Sequence, residues 1–363
     1  MARFFKSLLR KILYLCFKTH PLDDDNLKSL WKNTSHVAVM AVSGIGDSIM
    51  ATPLINAIKQ CKPNCHLIVI SSEGTQSVFR NNPYIDTIYV MPNGHFSIMK
   101  YLKFVASLYS EGIEFLFAAQ PSNVIKCSLS ALLSSAKIRL KHEYDYRNQP
   151  ERNFDFIYHR CLPDDMARHR VELNLDFLRY LGEEIPGKIM LPKFYPGKAA
   201  MEFIEKKLQN EFAEYKGKII ALHAGGVRPN KHWDIRNYAA IGKLVIEKEY
   251  KVVLVGGQHE IKTNLQIKEM LNHSDCINFT NQLSLEETAA VLMQSKLLIS
   301  NDTGIMHLAT AVDVPVVAIF GPTDYRHIGP YSVTSTVIIN ETDIKFVGID
   351  QVNKEINILL NSN

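Results

Sequence analysis

The sequence predicts an α/β protein built as two doubly wound domains facing across a cleft. Three observations carry this. The chain has 363 residues, which is two domains at roughly 100–200 residues each. Short apolar runs alternate with amphipathic helical stretches from His36, and again from Lys218, the rhythm of parallel βαβ units. Between the two series, Gly182–Gly197 holds Pro186, Pro192 and Pro196 and reads as an interdomain connection.

In the first series, strands are expected at Val37–Val42, His66–Ile70, Thr87–Val90, Ile113–Phe117 and Lys137–Leu140. Helices are expected at Ser48–Gln60, Phe96–Ser110 and Val171–Leu181. Residues 141–170 break the rhythm with many charged, aromatic and His side chains. In the second series, strands are expected at Ile219–His223, Lys251–Val255, Lys296–Ser300 and Val314–Phe320. Helices are expected at Ile235–Lys248, Glu260–Leu271, Leu285–Gln294 and Ile305–Ala311. Ser284 and Glu287 have the spacing of a capping box. The resulting boundaries are a basic helix at 1–22, a first domain at 23–190, a second at 191–345, and a C-terminal segment at 346–363 that packs back on the N-terminal domain.

The net charge of +4 is uneven: residues 1–20 carry Arg3, Lys6, Arg10, Lys11 and Lys18 and no acid, leaving the remainder slightly acidic. A body without a basic stripe argues against nucleic-acid binding. The first 20 residues lack a small-residue cleavage site and are too short and charged to span a bilayer. Their apolar residues gather on one helical side and their cations opposite, the pattern of a helix lying on an anionic membrane surface; docking on the protein's own body is the alternative. The six cysteines form no CxxC pair or zinc spacing and read as reduced thiols.

Ligands of doubly wound sheets sit beyond the carboxyl ends of the strands, and four motifs fall there. In Leu297–Ala309 an apolar strand ends at Asn301 and runs into a helix whose N-terminus, at Thr303 and Gly304, offers free N–H groups to an anion, with His307 one turn further on. Asp302 there is a ligand contact or an N-cap. After His223, Gly225 and Gly226 precede Arg228 and Lys231, cations placed to clamp a diphosphate. Val255–Glu260 holds a glycine turn and then Glu260, an acceptor for ribose hydroxyls or simply a favourable first-turn acid. In the first half, Ser43–Pro53 contains GxG without a third glycine, weak evidence for a dinucleotide site. Asp47 in this motif is either a general base for an attacking hydroxyl or a helix N-cap. Asp23-Asp24-Asp25 formally contains a DxD but lies in an expected linker, so no metal is assigned. Pro163-Asp164-Asp165 likewise reads as loop.

Together, GIGDSIMATP, HAGG followed by KHW, VGGQHE, SNDTGIMHLA and VAIFGPTD resemble the heptosyltransferase family of bacterial lipopolysaccharide core synthesis, glycosyltransferase family nine. They occur in family order over residues 37–324, most of the chain. The resemblance implies two Rossmann-like domains in the GT-B fold and inverting transfer of a heptose, usually from an ADP-activated donor, to a lipid-linked core sugar. It assigns Asp47 as base, Lys231 to phosphate, Glu260 to the nucleoside, and Asp302, Thr303, Gly304 and His307 to diphosphate and sugar. Trp233-Asp234 stands where the family often has Trp-Pro, and Tyr325 follows FGPTD where proline is common.

The expected enzyme needs no cofactor beyond its nucleotide-sugar donor, with ADP-heptose the expected one. It sits at the cytoplasmic face of the inner membrane, and Arg147, Arg152, Arg168 and His169 grip an anionic core acceptor. Two other readings are open: a sugar-nucleotide epimerase, which turns over donor without acceptor, and a non-catalytic nucleotide-sugar-binding protein. A nicotinamide dehydrogenase fits least.

Overall fold

The structure, a computed structural model, describes residues 2–19, 22–92, 98–119, 125–143, 153–185, 191–226, 228 and 231–361, with backbone alone for 2–7 and 9. It divides into two compact units at Met190–Leu191.

In the first unit the elements run α1 (Ala2–Phe17), α2 (Asp24–Lys32), β1 (His36–Met40), α3 (Ile45–Met50), α4 (Thr52–Cys61), β2 (His66–Ser72) and β3 (Thr87–Met91). They continue with α5 (Ile98–Ser110), β4 (Phe115–Ala118), α6 (Ile125–Leu133), β5 (Ile138–His142), β6 (Arg160–Leu162) and α7 (Arg170–Tyr180). The six strands form a parallel sheet in the order β3-β2-β1-β4-β5-β6. The order reverses between β1 and β4, so the loop after β1 opens at the switch point where such sheets bind ligands.

Helices cover both faces, which is why the central strands are nearly continuous apolar runs. On one face, Tyr101, Phe104 and Leu108 of α5 and Cys127 and Ala131 of α6 pack with Ala38, Met40, Ile68, Ile70 and Leu116. Leu13 of α1 packs against the same cluster, Tyr14 meets Phe156 edge-on at 5.2 Å, and Arg10 donates to the Asn153 carbonyl at 2.7 Å. The N-terminal helix therefore docks on its own unit by one side. On the opposite face Trp31 of α2 meets Phe115 at 5.2 Å and Phe177 of α7 meets Phe117 at 5.4 Å.

Two local expectations change. The stretch expected as a linker is the start of α2: Asp23 caps it by accepting from the Asn26 amide at 2.8 Å, and Asp24 and Asp25 fill its first turn, where acids complement the helix dipole. The single helix expected over Ser48–Gln60 is broken at Ala51 into α3 and α4. Pro53 has no N–H to give the Ile49 carbonyl, and the Thr52 hydroxyl donates to that carbonyl instead, at 2.8 Å.

The second unit runs α8 (Lys198–Glu211), β7 (Ile219–His223), α9 (Ile235–Ile246), β8 (Lys251–Leu254), α10 (Ile261–Leu271), β9 (Cys276–Asn278) and α11 (Leu285–Met293). It ends with β10 (Ser295–Asn301), α12 (Gly304–Ala311), β11 (Val316–Phe320), α13 (Tyr325–Ile328), β12 (Thr336–Ile339) and α14 (Ile349–Asn361). Its parallel sheet has the order β12-β11-β10-β7-β8-β9, reversing between β7 and β10. The capping box forms: Ser284 Oγ accepts from the Glu287 amide at 3.2 Å, and Glu287 accepts from the Ser284 amide at 2.7 Å. One face buries Trp233, Tyr238, Ile241, Ile267 and Leu271 against the strands; the other buries Ile204, Leu208, Ala290 and Val291. The C-terminal segment, expected to pack back on the N-terminal domain, belongs to the second unit, where Val352 and Ile356 of α14 are buried in the core with Trp233.

Candidate functional site

At the switch point of the second sheet, three loops meet. The loop after β7 brings Gly225 and Gly226, the loop after β8 leads to Glu260, and the loop after β10 brings Asp302 and Thr303. Their packing leaves no room for side chains on the glycines. A Cβ on Gly225 would lie 2.3 Å from Cγ of Glu260. Gly226 sits at φ +128°, and a Cβ there would lie 3.1 Å from Cγ2 of Thr303. Glycine is thus required both for close approach and for a left-handed backbone.

Glu260 is 7 % exposed. One carboxylate oxygen accepts from the Gly226 amide at 3.1 Å and the other from the Gly257 amide at 2.8 Å. It therefore ties the β7 and β8 loops together, a role beyond that of a first-turn acid, and each oxygen keeps lone-pair capacity for a further donor such as a hydroxyl.

Lys231 pairs with Asp302 through a short Nζ–Oδ2 contact; their side chains are 14 % and 7 % exposed. Asp302 is not the N-cap of α12. Thr303 holds that position in an extended conformation without a capping hydrogen bond from its side chain, its hydroxyl lying 3.2 Å from that of Ser300. The N–H groups of the first turn, beginning at Gly304, are those an anion would meet. His307 is buried in the same helix. Arg228 is exposed on the β7 loop, and its carbonyl accepts from the Lys231 amide at 3.0 Å.

Under these loops lies a hub that the motifs did not single out. The Asn301 side chain, at the end of β10, accepts from the Tyr238 hydroxyl at 2.9 Å and the Trp233 amide at 3.3 Å, and donates to the Gly225 carbonyl at 3.2 Å. His223 at the end of β7 donates from Nδ1 to the Val255 carbonyl at 3.0 Å. Burial holds this imidazole below its ordinary pKa, outweighing the raising effect of that carbonyl and of Glu260. The only signal in the sequence was a buried-strand pattern ending in a polar residue, LLIS then Asn301.

Asp47 belongs to the first unit. It is the third residue of α3, in the turn that follows β1, and Gly44, not Asp47, is the N-cap. Its carboxylate is half-buried at the helix's positive end, where an anion is favoured.

The proposed acceptor residues fare differently. Arg147 and Arg152 lie outside the described residues. Arg168 is held in a two-pronged pair by Asp176 at 2.5 and 3.0 Å, and His169 caps α7, accepting from the Val171 amide at 3.2 Å. Burial alone would raise the Asp176 pKa, but the guanidinium groups of Arg168 and Arg179 hold it below the usual carboxylate value. Both candidates thus have local structural work.

Two parallel sheets, each with its carboxyl-end loops at a topological switch, are the architecture of the GT-B class, in which the glycine-lined, lysine-bearing cradle lies at a ligand-binding position. The comparisons agree. Residues 123–355 match glycosyltransferase family 9 (heptosyltransferase). The lipopolysaccharide heptosyltransferase 1 of Campylobacter coli is 27 % identical over 311 residues, 80 % of this chain and 85 % of that protein. A glycosyl transferase family 9 structure from Veillonella parvula superposes with a TM-score of 0.79 at 20 % identity, covering 91 % of this chain and 98 % of the other. The E. coli heptosyltransferase WaaC with ADP gives 0.72 at 19 % identity, covering 89 % and 99 %. The chain belongs to glycosyltransferase family 9, the heptosyltransferases. It is therefore a transferase, which sets aside the epimerase and the non-catalytic binding protein.

Proposed function

We propose that the protein transfers heptose from ADP-heptose, with inversion, to a lipopolysaccharide core acceptor at the cytoplasmic face of the inner membrane. The observation that carries this is the convergence of Lys231, the α12 N-terminus and the Glu260-braced glycine loops on one sheet edge, a cradle with the charge for a diphosphate. A Campylobacter coli relative named as a lipopolysaccharide heptosyltransferase and an E. coli fold relative solved with ADP support the donor and the acceptor class.

In this reading the acceptor hydroxyl oxygen attacks the anomeric carbon as the bond from that carbon to the β-phosphate oxygen breaks. Asp47 takes the hydroxyl proton. The electron pair leaves with ADP, whose charge is balanced by Lys231 and the N–H groups at Thr303 and Gly304. Asp302 and His307 contact the sugar and diphosphate, Glu260 the ribose, and Arg228 the outer phosphate. No metal enters the step. Arg147 and Arg152, with Arg168 and His169, grip the phosphorylated acceptor, and α1 lies on the anionic leaflet.

The test is turnover with ADP-heptose and a core acceptor, against GDP- and UDP-sugars. Activity confined to ADP-heptose and unchanged by EDTA is expected. Asp47→Ala should lower kcat by about 10²–10⁴-fold with ADP affinity retained; preserved turnover in that variant removes Asp47 as base, and preference for another nucleotide overturns the donor.

A further inference from the structure

The helices α1, α5 and α6, which share one face of the first sheet, carry seven Lys and Arg residues and not one Asp or Glu. The helices of the opposite face are mixed: α2 holds Asp24 and Asp25, and α7 holds Glu172 and Asp176. One-signed charge therefore belongs to the helices of this face, and the acids beside them, Asp155 and Glu111, are engaged by Lys141 and Tyr89.

The same face exposes large apolar side chains. On α1 these are Leu8, Ile12, Leu15 and Phe17, with Leu15 83 % exposed. On α5, Ile98, Met99 and Leu102 are 60, 61 and 54 % exposed, beside exposed Lys100 and Lys103. Tyr101 and Phe104 of the same helix point into the core, so the outer apolar residues are surplus to packing. Apolar side chains bracketed by cations, without acids, match a bilayer that presents phosphate headgroups above hydrocarbon.

We propose that this face is a membrane-docking surface for an anionic bilayer, and that the first turns of α5 are a second insertion point beside α1. The proposal rests on the reading of a lipid-linked acceptor. A single helix only tethers a protein; a second contact across the intervening α6 fixes which way the first unit faces the membrane. Ile98, Met99 and Leu102 enter the headgroup boundary while Lys100 and Lys103 pair with lipid phosphate.

The test is co-sedimentation of the full chain with phosphatidylglycerol-containing vesicles and with pure phosphatidylcholine vesicles. Wild type is expected to bind only the former. The pair Met99→Asp with Leu102→Asp, with α1 intact, should lower the partition coefficient at least about tenfold. Its Tm and its turnover on a water-soluble acceptor should stay unchanged. A Met99→Trp variant should show a blue-shifted emission on vesicle addition. Unchanged partitioning of the Asp pair, or loss only of self-association in that variant, overturns α5 as a membrane contact. Release by deletion of residues 1–19 with no effect of the Asp pair also overturns it, while leaving the α1 reading standing. Wild type that ignores both vesicles overturns the whole face, and ADP-heptose turnover in solution still decides the transferase reading separately.

Discussion

Lys231 and Asp302 form a largely buried ion pair at the rim of the glycine cradle, joining the loop after β7 to the loop after β10. The lysine proposed for the diphosphate is thus already balanced by a carboxylate, so an incoming phosphate must share the cation. Lys231→Ala should weaken ADP binding by about 10–100-fold, the value of one charge-assisted contact that also strands Asp302. Asp302→Asn, which frees the cation, should instead tighten ADP by several fold while lowering turnover with ADP-heptose. Calorimetry with ADP checks both; weaker ADP binding in Asp302→Asn would show that the pair organises the site more than it competes with phosphate.

Gly225 is fixed by its contact with Glu260. Gly225→Ala puts a methyl 2.3 Å from Cγ of Glu260, and two amides hold the Glu260 carboxylate against swinging aside. The expected cost is about 1–3 kcal/mol of stability together with loss of ADP binding. Adding Glu260→Ala should recover part of the stability, a coupling that a double-mutant cycle by urea denaturation will measure.

Asn301→Ala removes the hub beneath the cradle. The Gly225 carbonyl loses its donor, and the Trp233 amide and Tyr238 hydroxyl lose their acceptor. At about 1–3 kcal/mol for each buried group left unpaired, this change should be among the most damaging in the second unit. Tyr238 keeps a second acceptor in the His223 carbonyl at 3.2 Å, so Tyr238→Phe should be milder. Denaturation midpoints of the two variants check the order.

In the first unit, Glu114 supplies an acid-limb prediction. Burial alone would raise its pKa, but the amides of Ser35 and His36, the Ser35 hydroxyl and Lys137 outweigh that and bring it down to about 2. A carboxylate whose folded pKa is depressed adds stability above its unfolded value and loses it as the pH falls through the folded one. Glu114→Gln should cost about 1 kcal/mol at neutral pH, held down by solvent screening, and match wild type near pH 2. Denaturation curves across that range test the sign.

How much of this was legible before the structure follows from the length over which each signal runs. The central strands announced themselves because burial on both faces demands unbroken apolar residues. Short edge strands did not: β6 and β9 have three residues each, too few for a period. The Asp23–Asp25 run read as solvated charge because a cap is recognisable only once the helix behind it is. Among site residues, Gly225, Lys231 and Asp302 stood out by chemistry and strand-end position. Asn301 stood in the same motif but without a role, since its partners Trp233, Tyr238 and Gly225 lie 68, 63 and 76 residues away. For Arg168 and His169 the composition shows the side chains and hides their local partners, the Asp176 carboxylate and the Val171 amide at the start of α7.

The Glu260 bridge has a practical corollary. Its two amides come from loops that follow different strands, so the bridge closes only after β7 and β8 lie side by side. A chain stalled before that step has no cradle at all. Titration with ADP should therefore count finished molecules in a preparation, a stoichiometric gauge of folding yield that the enzyme carries within itself.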